Sequence, residues 1–98
     1  MRIIRTRLAE EDIKDIYLYS YREFGEEQAD KYYEGLEERF QSILDQTAHS
    51  QNCSHIDNDL KRVNYESHAI YYQLGEEGEV IVIRVLHQQM DETRHLSY

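Results

Sequence analysis

The sequence is poor in the features that mark disulfide-stapled, secreted or membrane proteins. Its one cysteine, Cys53, cannot form an internal disulfide, which fits the reducing cytoplasm. No apolar run approaches the ~20 residues of a membrane helix. The N-terminus, MRIIRTRLAEED, lacks the apolar core and cleavage site of a signal peptide. Since 98 residues with 40% hydrophobic content suffice for one core, we expect a single cytoplasmic domain over residues 1–98, without membrane attachment.

Basic residues are scarce as well. Eleven Lys and Arg face twenty Asp and Glu, which gives a formal net charge of −9. This argues against direct binding of nucleic acid, because phosphates are neutralised by Lys and Arg. The imbalance is local, since twelve acidic residues face four basic ones between Ala9 and Thr47. The segment is interpreted as a solvated helical face, or alternatively as a surface that attracts a basic partner.

The acidic segment contains two amphipathic patterns. AEEDIKDIYLYSYREFG predicts a helix with acidic residues 10–12 in its first turn and Gly25 as its C-cap. Its apolar face has helical spacing and comprises Ile13, Ile16, Tyr17, Ser20 and Phe24. EEQADKYYEGLEERFQSILDQT predicts a second helix, whose apolar stripe from Ala29 to Leu44 belongs to the core and has Gly35 opposite it. The short connection makes the two helices an antiparallel hairpin.

Strands are predicted before and after the hairpin. The first runs from Arg2 to Arg7, and after a polar loop over 48–59 three more follow, at 60–65, 67–74 and 79–87. The last is apolar on both faces, so it belongs in the middle of a sheet, with the hairpin on one side and the C-terminal segment or a partner on the other. The fold class is therefore α+β, in the order β-α-α-β-β-β: a short N-terminal strand and a helical hairpin packed on a small antiparallel sheet.

The motifs of the common enzyme classes are missing. The glycines are dispersed, and none of them forms a phosphate-binding loop. Ser67 and His68 are adjacent in a predicted strand, so they should point to opposite faces and be unable to cooperate. His49, Cys53 and His55 share the polar loop, but a structural zinc site needs four ligands. We expect no hydrolase chemistry, cofactor or metal.

The segment RVLHQQMDETRHL, residues 84–96, is the densest in reactive side chains. His87, Asp91 and His95 recur every fourth residue, which would place them together only on a helix. Because His87 ends a predicted strand, the three residues cannot share one helix face, and we expect no metal site. His87 is then a general base or a partly buried hydrogen-bonding residue, and the second interpretation is favoured.

An RNA-cleaving surface is a further possibility for the sheet. It needs cationic groups that hold a phosphate and stabilise an oxyanion. The residues that could form it are Lys61, Arg62 and Arg84 as cations, His87 as proton acceptor, and Tyr65 or Tyr71 as a polar tip. These bases are few, and acids such as Glu66 and Glu79 flank them, so the sequence gives this function little support.

Three stretches together resemble ParE, the toxin of type II toxin–antitoxin systems in the RelE/ParE superfamily: IYLYSYREFGEEQADKYYEGLEERF, SHAIYY and IRVLHQQMDETRHL. The similarity runs from about Leu8 to Leu96. Its most specific parts are the Gly-x-x-Gln-Ala turn at 25–29, Ser67-His68 with Tyr71-Tyr72, and Arg-Val-Leu-His-x-x-Met-Asp at 84–91 with Arg94-His95-Leu96. The chain departs from the family pattern after the second helix, where it has no proline. The predicted element order is that of the family.

The resemblance implies a toxin that poisons DNA gyrase by stalling its cleaved-DNA complex, acting by binding without turnover. It also implies a ParD-like or CopG-like antitoxin, a ribbon-helix-helix protein whose disordered tail folds over the toxin. Such pairs serve plasmid or prophage maintenance. Two alternatives remain open: a ribosome-dependent mRNA endonuclease of the RelE type, and a non-toxic antitoxin-binding module.

The resemblance also suggests residues for two surfaces. The candidates for inhibition of the target lie in or after the last strand and are Arg84, His87, Met90, Asp91, Arg94 and His95. The candidates for antitoxin binding are the tyrosines Tyr17, Tyr21, Tyr65 and Tyr71. The structural alternative is that Arg84 pairs with a neighbouring carboxylate while Met90 and Leu96 cover the sheet.

Overall fold

The computed structural model describes residues 2–89 and residue 96. The elements are β1 (Ile3–Arg5), α1 (Arg7–Phe24), α2 (Glu26–Leu44), β2 (Gln51–Asn52), β3 (Lys61–Tyr65), β4 (His68–Leu74) and β5 (Val80–His87). The strands form one sheet in the order β1-β5-β4-β3-β2. The predicted α+β class and element order are confirmed. The sheet is mixed, however, because β1 runs parallel to β5, and it gains the short strand β2 from the predicted loop.

The helical hairpin is confirmed, and its ends are set by two caps. Helix α1 begins at Arg7 because the Thr6 hydroxyl accepts a hydrogen bond from the Ala9 amide at 3.1 Å. This start is two residues earlier than predicted, so Glu10 is the one acidic residue in the first turn. Gly25 is the single residue between the two helices. Its φ is 91°, a conformation that glycine adopts without strain.

Two cores lie on opposite faces of the sheet. The larger is between the sheet and the hairpin, and its residues include Ile13, Leu36, Phe40, Val63, Ile70, Val82 and Val85. The smaller is on the other face and comprises Cys53, Leu60, Ala69, Tyr71, Leu86 and Leu96. Coverage of that face by Leu96, which is 2% exposed, agrees with the prediction for the C-terminal segment. The 53–60 turn contributes the rest of the cover, because the Cys53 amide donates to the Leu60 carbonyl at 2.8 Å and folds the loop back.

Two residues of the predicted hairpin faces lie elsewhere. Phe24 was assigned to the buried face, but it is 66% exposed at the C-terminal end of α1. Gly35 was placed opposite the core stripe, but it faces β3, where a Cβ atom would overlap the Tyr65 hydroxyl oxygen. The prediction for Gly35 was wrong because a glycine has no side chain from which an apolar stripe could reveal its packing. Within the described residues, neither helix is long and apolar enough to cross a membrane.

Candidate functional site

Arg84 is held by α1. Its Nε and Nη2 donate to the two carboxylate oxygens of Asp12 at 2.7 and 2.9 Å, and Asp12 also accepts from the Val85 amide at 3.0 Å. The two side chains are 20% and 14% exposed. Strand β1 pairs with β5 only as far as Val82, so Asp12 occupies the edge that β1 leaves open. Arg84 therefore pairs with a carboxylate, as the structural alternative predicted.

A polar cluster joins α2 to the ends of β4 and β5. The Tyr32 hydroxyl lies 2.6 Å from His68 Nδ1, and Ser67 Oγ lies 3.4 Å from both of these atoms. The His87 ring meets the His68 ring edge-on, with 5.4 Å between centroids. The prediction that Ser67 and His68 cannot meet was wrong, because Ser67 belongs to the two-residue turn between β3 and β4, where Glu66 has φ at 50°. Strand alternation does not apply there.

The surroundings of His68 and Tyr32 keep these two side chains neutral at pH 7. Burial, and then the neighbouring His87, lower the pKa of His68 to about 4, against an opposing effect of Asp12. Burial also raises the pKa of the Tyr32 hydroxyl, so Tyr32 stays protonated, and its hydrogen bond takes up His68 Nδ1. A histidine with so low a pKa is a weak base at neutral pH. Because the short hydrogen bond of its Nδ1 is to Tyr32 and Ser67 Oγ is 3.4 Å away, the cluster is a poor activator of the Ser67 hydroxyl.

The cluster borders a cleft of about 690 Å³ between α1 and the end of β5. The lining residues are Asp15, Ile16, Tyr19, Phe24, Ser67, His68, His87 and Gln89. Among the described residues that line this cleft there is a carboxylate but no lysine or arginine, so nothing in it neutralises a phosphate. The cleft is suited to apolar and hydrogen-bonding contacts.

The residues considered for RNA cleavage are divided between the two faces of the sheet. His87 lies on the helix-covered face with His68, whose hydrogen bond reaches Tyr32 of α2. Arg62 and Tyr71 pair across β3 and β4 on the opposite face, where Arg62 Nη1 donates to the Tyr71 hydroxyl at 3.1 Å. Arg62 and His87 lie on opposite faces of the sheet and cannot act on one phosphate, and Lys61 pairs with Tyr72, at the opposite end of the β3–β4 pairing from His68.

The four candidate tyrosines fall into two pairs. Tyr65 and Tyr71 are 8% and 2% exposed, and the Tyr65 hydroxyl donates to the Tyr32 carbonyl at 3.0 Å. Both are therefore core residues, and Tyr65 also lines a shallow pocket beside α2. Tyr17 and Tyr21 lie on α1 with ring centroids 6.4 Å apart, and Tyr21 is exposed. The role of all four tyrosines in antitoxin binding stays a prediction, and Tyr21 is the exposed one of the four.

Tyr17 lines a groove between α1 and α2, of about 520 Å³. We call it the hairpin groove; its apolar walls are Ile13, Tyr17, Leu18 and Tyr33, and its polar rim is Arg5, Glu10, Lys14 and Asp30. Sequence reasoning missed Leu18 and assigned Tyr33 to the core. The available signal was that α1 carries more apolar and aromatic side chains than one helix face can bury.

The remaining candidates for target inhibition are Met90, Asp91, Arg94 and His95. All four lie outside the described residues, so their predicted role stays a prediction. The structure positions the strand that leads to them, through the Asp12 contacts at Arg84 and Val85. Over residues 2–89 and 96, no group of three or more His, Cys, Asp or Glu side chains is placed to hold a metal ion.

The His68 environment predicts a pH-dependent stability. In the unfolded chain His68 has its ordinary pKa of 6.5, against about 4 in the fold, so the unfolded state binds more protons between these values. Stability from this group is complete above pH 6.5 and falls as the pH drops to 4, by roughly 2 kcal/mol after discounting for partial exposure.

The measurement is urea unfolding of wild type and His68→Gln across this range. The glutamine amide can still form a hydrogen bond with the Tyr32 hydroxyl but does not titrate, so the variant should lose less stability on acidification than wild type. His49→Gln, at an exposed position, is the control and should follow wild type. Parallel pH profiles for wild type and His68→Gln would show that His68 titrates normally.

Comparisons with known proteins converge on one family. Residues 3–92 match the family model described as ParE toxin of type II toxin-antitoxin system, parDE. The chain is 33% identical over 92 residues to Toxin ParE1 of Caulobacter vibrioides, covering 94% of each. It is 27% identical over 95 residues to Toxin ParE1 of Mycobacterium tuberculosis, covering 97% of each.

A solved structure supports the same fold. A chain of the chromosomal ParDE TA system from P. aeruginosa superimposes with a TM-score of 0.72 over 89% of this chain and 95% of that chain. At 18% sequence identity this likeness concerns the fold alone.

Proposed function

Because the chain belongs to the ParE toxin family of type II toxin–antitoxin systems, we propose that it inhibits DNA gyrase by trapping the cleaved-DNA complex. The observation that carries the proposal is the match of residues 3–92 to the family model. A ParD-like or CopG-like ribbon-helix-helix antitoxin neutralises the toxin by folding its disordered tail over it. The pair acts in the cytoplasm, in the maintenance of a plasmid or prophage.

Inhibition by binding is supported over turnover by the polar cluster. His68 is a weak base, and Tyr32 occupies its Nδ1. The Arg84 guanidinium is held by Asp12 on the side of α1. A phosphate-cleaving site needs a base of suitable pKa beside cationic groups, and His68 and Arg84 do not form such a pair.

The surface proposed to contact the target is the end of β5 and the segment after it. Arg84 acts there as a positioning residue, since its pairing with Asp12 fixes where β5 ends. His87 borders the apolar cleft, and Met90, Asp91, Arg94 and His95 follow in sequence. This segment combines charged and apolar side chains, which is what a protein-binding surface requires.

The test adds the purified chain to gyrase, ATP and relaxed plasmid. We expect supercoiling to stop and cleaved DNA to accumulate, and the antitoxin to prevent both. Arg94→Ala should raise the inhibitory concentration about tenfold or more, equivalent to ~1.4 kcal/mol of binding energy. Lys61→Ala removes the same charge on β3 and is the matched control, with no expected effect.

Unaffected gyrase at micromolar protein would overturn the proposal. Cleavage of ribosome-bound mRNA would then be assayed, since the RelE type is the remaining toxic alternative. The neighbouring reading frame is an inexpensive additional check, because the proposal requires a small ribbon-helix-helix protein there.

A further inference from the structure

A further pocket lies where β5 begins, at the opposite end of that strand from His87. It has a volume of about 260 Å³ and is formed by the end of α2, the residues that follow it, and the neighbouring ends of β3, β4 and β5. We call it the sheet-end pocket; the residues used below are Leu44, Ser50, Lys61, Tyr72, Leu74 and Val80. It shares no lining residue with the hairpin groove or with the cleft at the end of β5.

The walls of the sheet-end pocket are largely apolar. Val80 is 2% exposed at its base, and Leu44 packs against the core beside it. Leu74, the last residue of β4, is 53% exposed although its side chain is large and apolar. An apolar cavity of roughly 150 Å³ is enough to bind benzene. The pocket therefore has room for an aromatic ring or an alkyl group of similar size with a short polar tail.

Tyr72 presents a hydroxyl without a partner to this pocket. The residue is 5% exposed, and within the described part of the chain its hydroxyl forms no hydrogen bond. The oxygen is not sealed in the core, since every fully buried side-chain oxygen or nitrogen of the described residues has a partner. It therefore opens into the pocket that the residue lines. Because a largely buried hydroxyl is costly to leave unpaired, an acceptor that enters the pocket gains a hydrogen bond there.

Lys61 supplies the one charge among the described residues that line the pocket. It is directly opposite Tyr72 in the β3–β4 register, so the two side chains lie next to each other on the same face of the sheet. Over residues 2–89 and 96 its ammonium forms no ion pair. Glu79, the acid next to Val80, has its carboxylate beside Gly75 in the turn and does not line the pocket. An ammonium and a hydroxyl donor side by side suit one carboxylate.

We propose that the sheet-end pocket binds a small monocarboxylate with an apolar body. The carboxylate accepts hydrogen bonds from the Lys61 ammonium and the Tyr72 hydroxyl, and the apolar body lies against Leu44 and Leu74. Burial of the apolar body supplies affinity, whereas the two donors select the anion over a neutral ligand of the same shape. The site does not depend on the proposed function, because it lies at the other end of β5 from the surface proposed to contact gyrase.

The test titrates the isotope-labelled wild-type chain with phenylpropionate at pH 7 and follows its backbone amide resonances by NMR. A ligand of about 11 non-hydrogen atoms should bind with a Kd on the order of 1 mM. The resonances of Ser50, Lys61 and Leu74 should shift, and those of Ile16 and His87 at the other cleft should not. Phenylpropionamide has the same shape without the charge, and acetate has the charge without the apolar body. Each should bind about fivefold more weakly or worse.

Matched variants assign the two donors. Lys61→Met removes the ammonium but keeps an apolar stem, so it should weaken phenylpropionate about tenfold and leave phenylpropionamide within about twofold of wild type. Tyr72→Phe removes the hydroxyl but keeps the ring in the core, and should weaken phenylpropionate about fivefold. Lys31→Met is the control, because it removes the same charge at an exposed position of α2 outside the pocket. The dispersion of the amide spectrum checks that each variant is folded.

Several results would overturn the proposal. Absence of saturable shifts up to about 20 mM phenylpropionate means that the pocket does not bind this class of ligand. Equal affinities for the acid and the amide remove the role of the two donors, and shifts confined to another pocket place the binding elsewhere. Equal effects of Lys61→Met and Lys31→Met reduce the attraction to general charge. The titration contains no gyrase, so its failure leaves the proposed target standing, and unaffected gyrase leaves the ligand site standing.

Discussion

Replacing Asp12 with alanine is expected to lower the free energy of unfolding by about 3 kcal/mol, because one carboxylate serves two groups on β5. It accepts two hydrogen bonds from Arg84 and one from the Val85 amide. The pair is largely buried, so removal of the carboxylate leaves the guanidinium and the amide desolvated without this acceptor. A domain of this size has a free energy of unfolding of about 5–15 kcal/mol, so the expected loss is a large share of it.

The measurement is equilibrium unfolding in urea, followed by circular dichroism. Asp15→Ala is the matched control, since it removes the same charge from an exposed position of the same helix and should change stability by less than about 0.5 kcal/mol. Adding Arg84→Met to Asp12→Ala should recover part of the loss, because the buried cation is then gone. Similar small losses for Asp12→Ala and Asp15→Ala would show that the pair contributes little.

Gly35→Ala is the second substitution with a large expected effect, a net loss of about 2 kcal/mol. On an exposed helix this change stabilises by up to about 1 kcal/mol, so the expected sign is the reverse of the ordinary one. The reason is packing, since a Cβ atom at Gly35 overlaps the Tyr65 hydroxyl oxygen and lies 2.9 Å from Tyr65 Cζ. The ring cannot move freely, because its hydroxyl donates to the Tyr32 carbonyl and it stacks near the Tyr32 ring.

A double-mutant cycle tests this explanation. Tyr65→Phe removes the overlapping oxygen and should by itself cost about 1 kcal/mol through the lost hydrogen bond. Combined with Gly35→Ala, it should cost less than the sum of the two single changes, a coupling of about 1 kcal/mol. Thermal or urea unfolding of the four proteins gives the cycle. Strict additivity, or stabilisation by Gly35→Ala alone, would mean that α2 and β3 have room for a methyl group.

The elements that the sequence predicted well are those set by local patterns. The first helix was predicted from Ala9 and begins at Arg7, and the hairpin turn was placed correctly at Gly25. The last strand was predicted from Glu79 and runs from Val80 to His87. Helical spacing, strand composition and a glycine with positive φ are properties of neighbouring residues, so they can be recognised without tertiary contacts.

The sequence did not predict which of the candidate tyrosines are accessible. Tyr17 and Tyr21 are on an accessible face, but Tyr65 and Tyr71 are buried. All four have the same side chain. A sheet that is covered on both faces buries the side chains that point to either face of a strand. Composition therefore could not separate the tyrosines of the groove from those of the core. Alternation in the strand similarly failed at Ser67, because a two-residue turn precedes β4.

By itself, the sequence determined the two helices, the strands that follow them and the acidity of the hairpin, since each depends on residues close together in the chain. Tertiary structure alone decided that β1 lies parallel to β5, that Asp12 meets Arg84 and that Tyr32 meets His68. The last two contacts join residues 72 and 36 positions apart. Such pairings depend on which distant segments the fold brings into contact. The local periodicity of the sequence carries no information about those contacts.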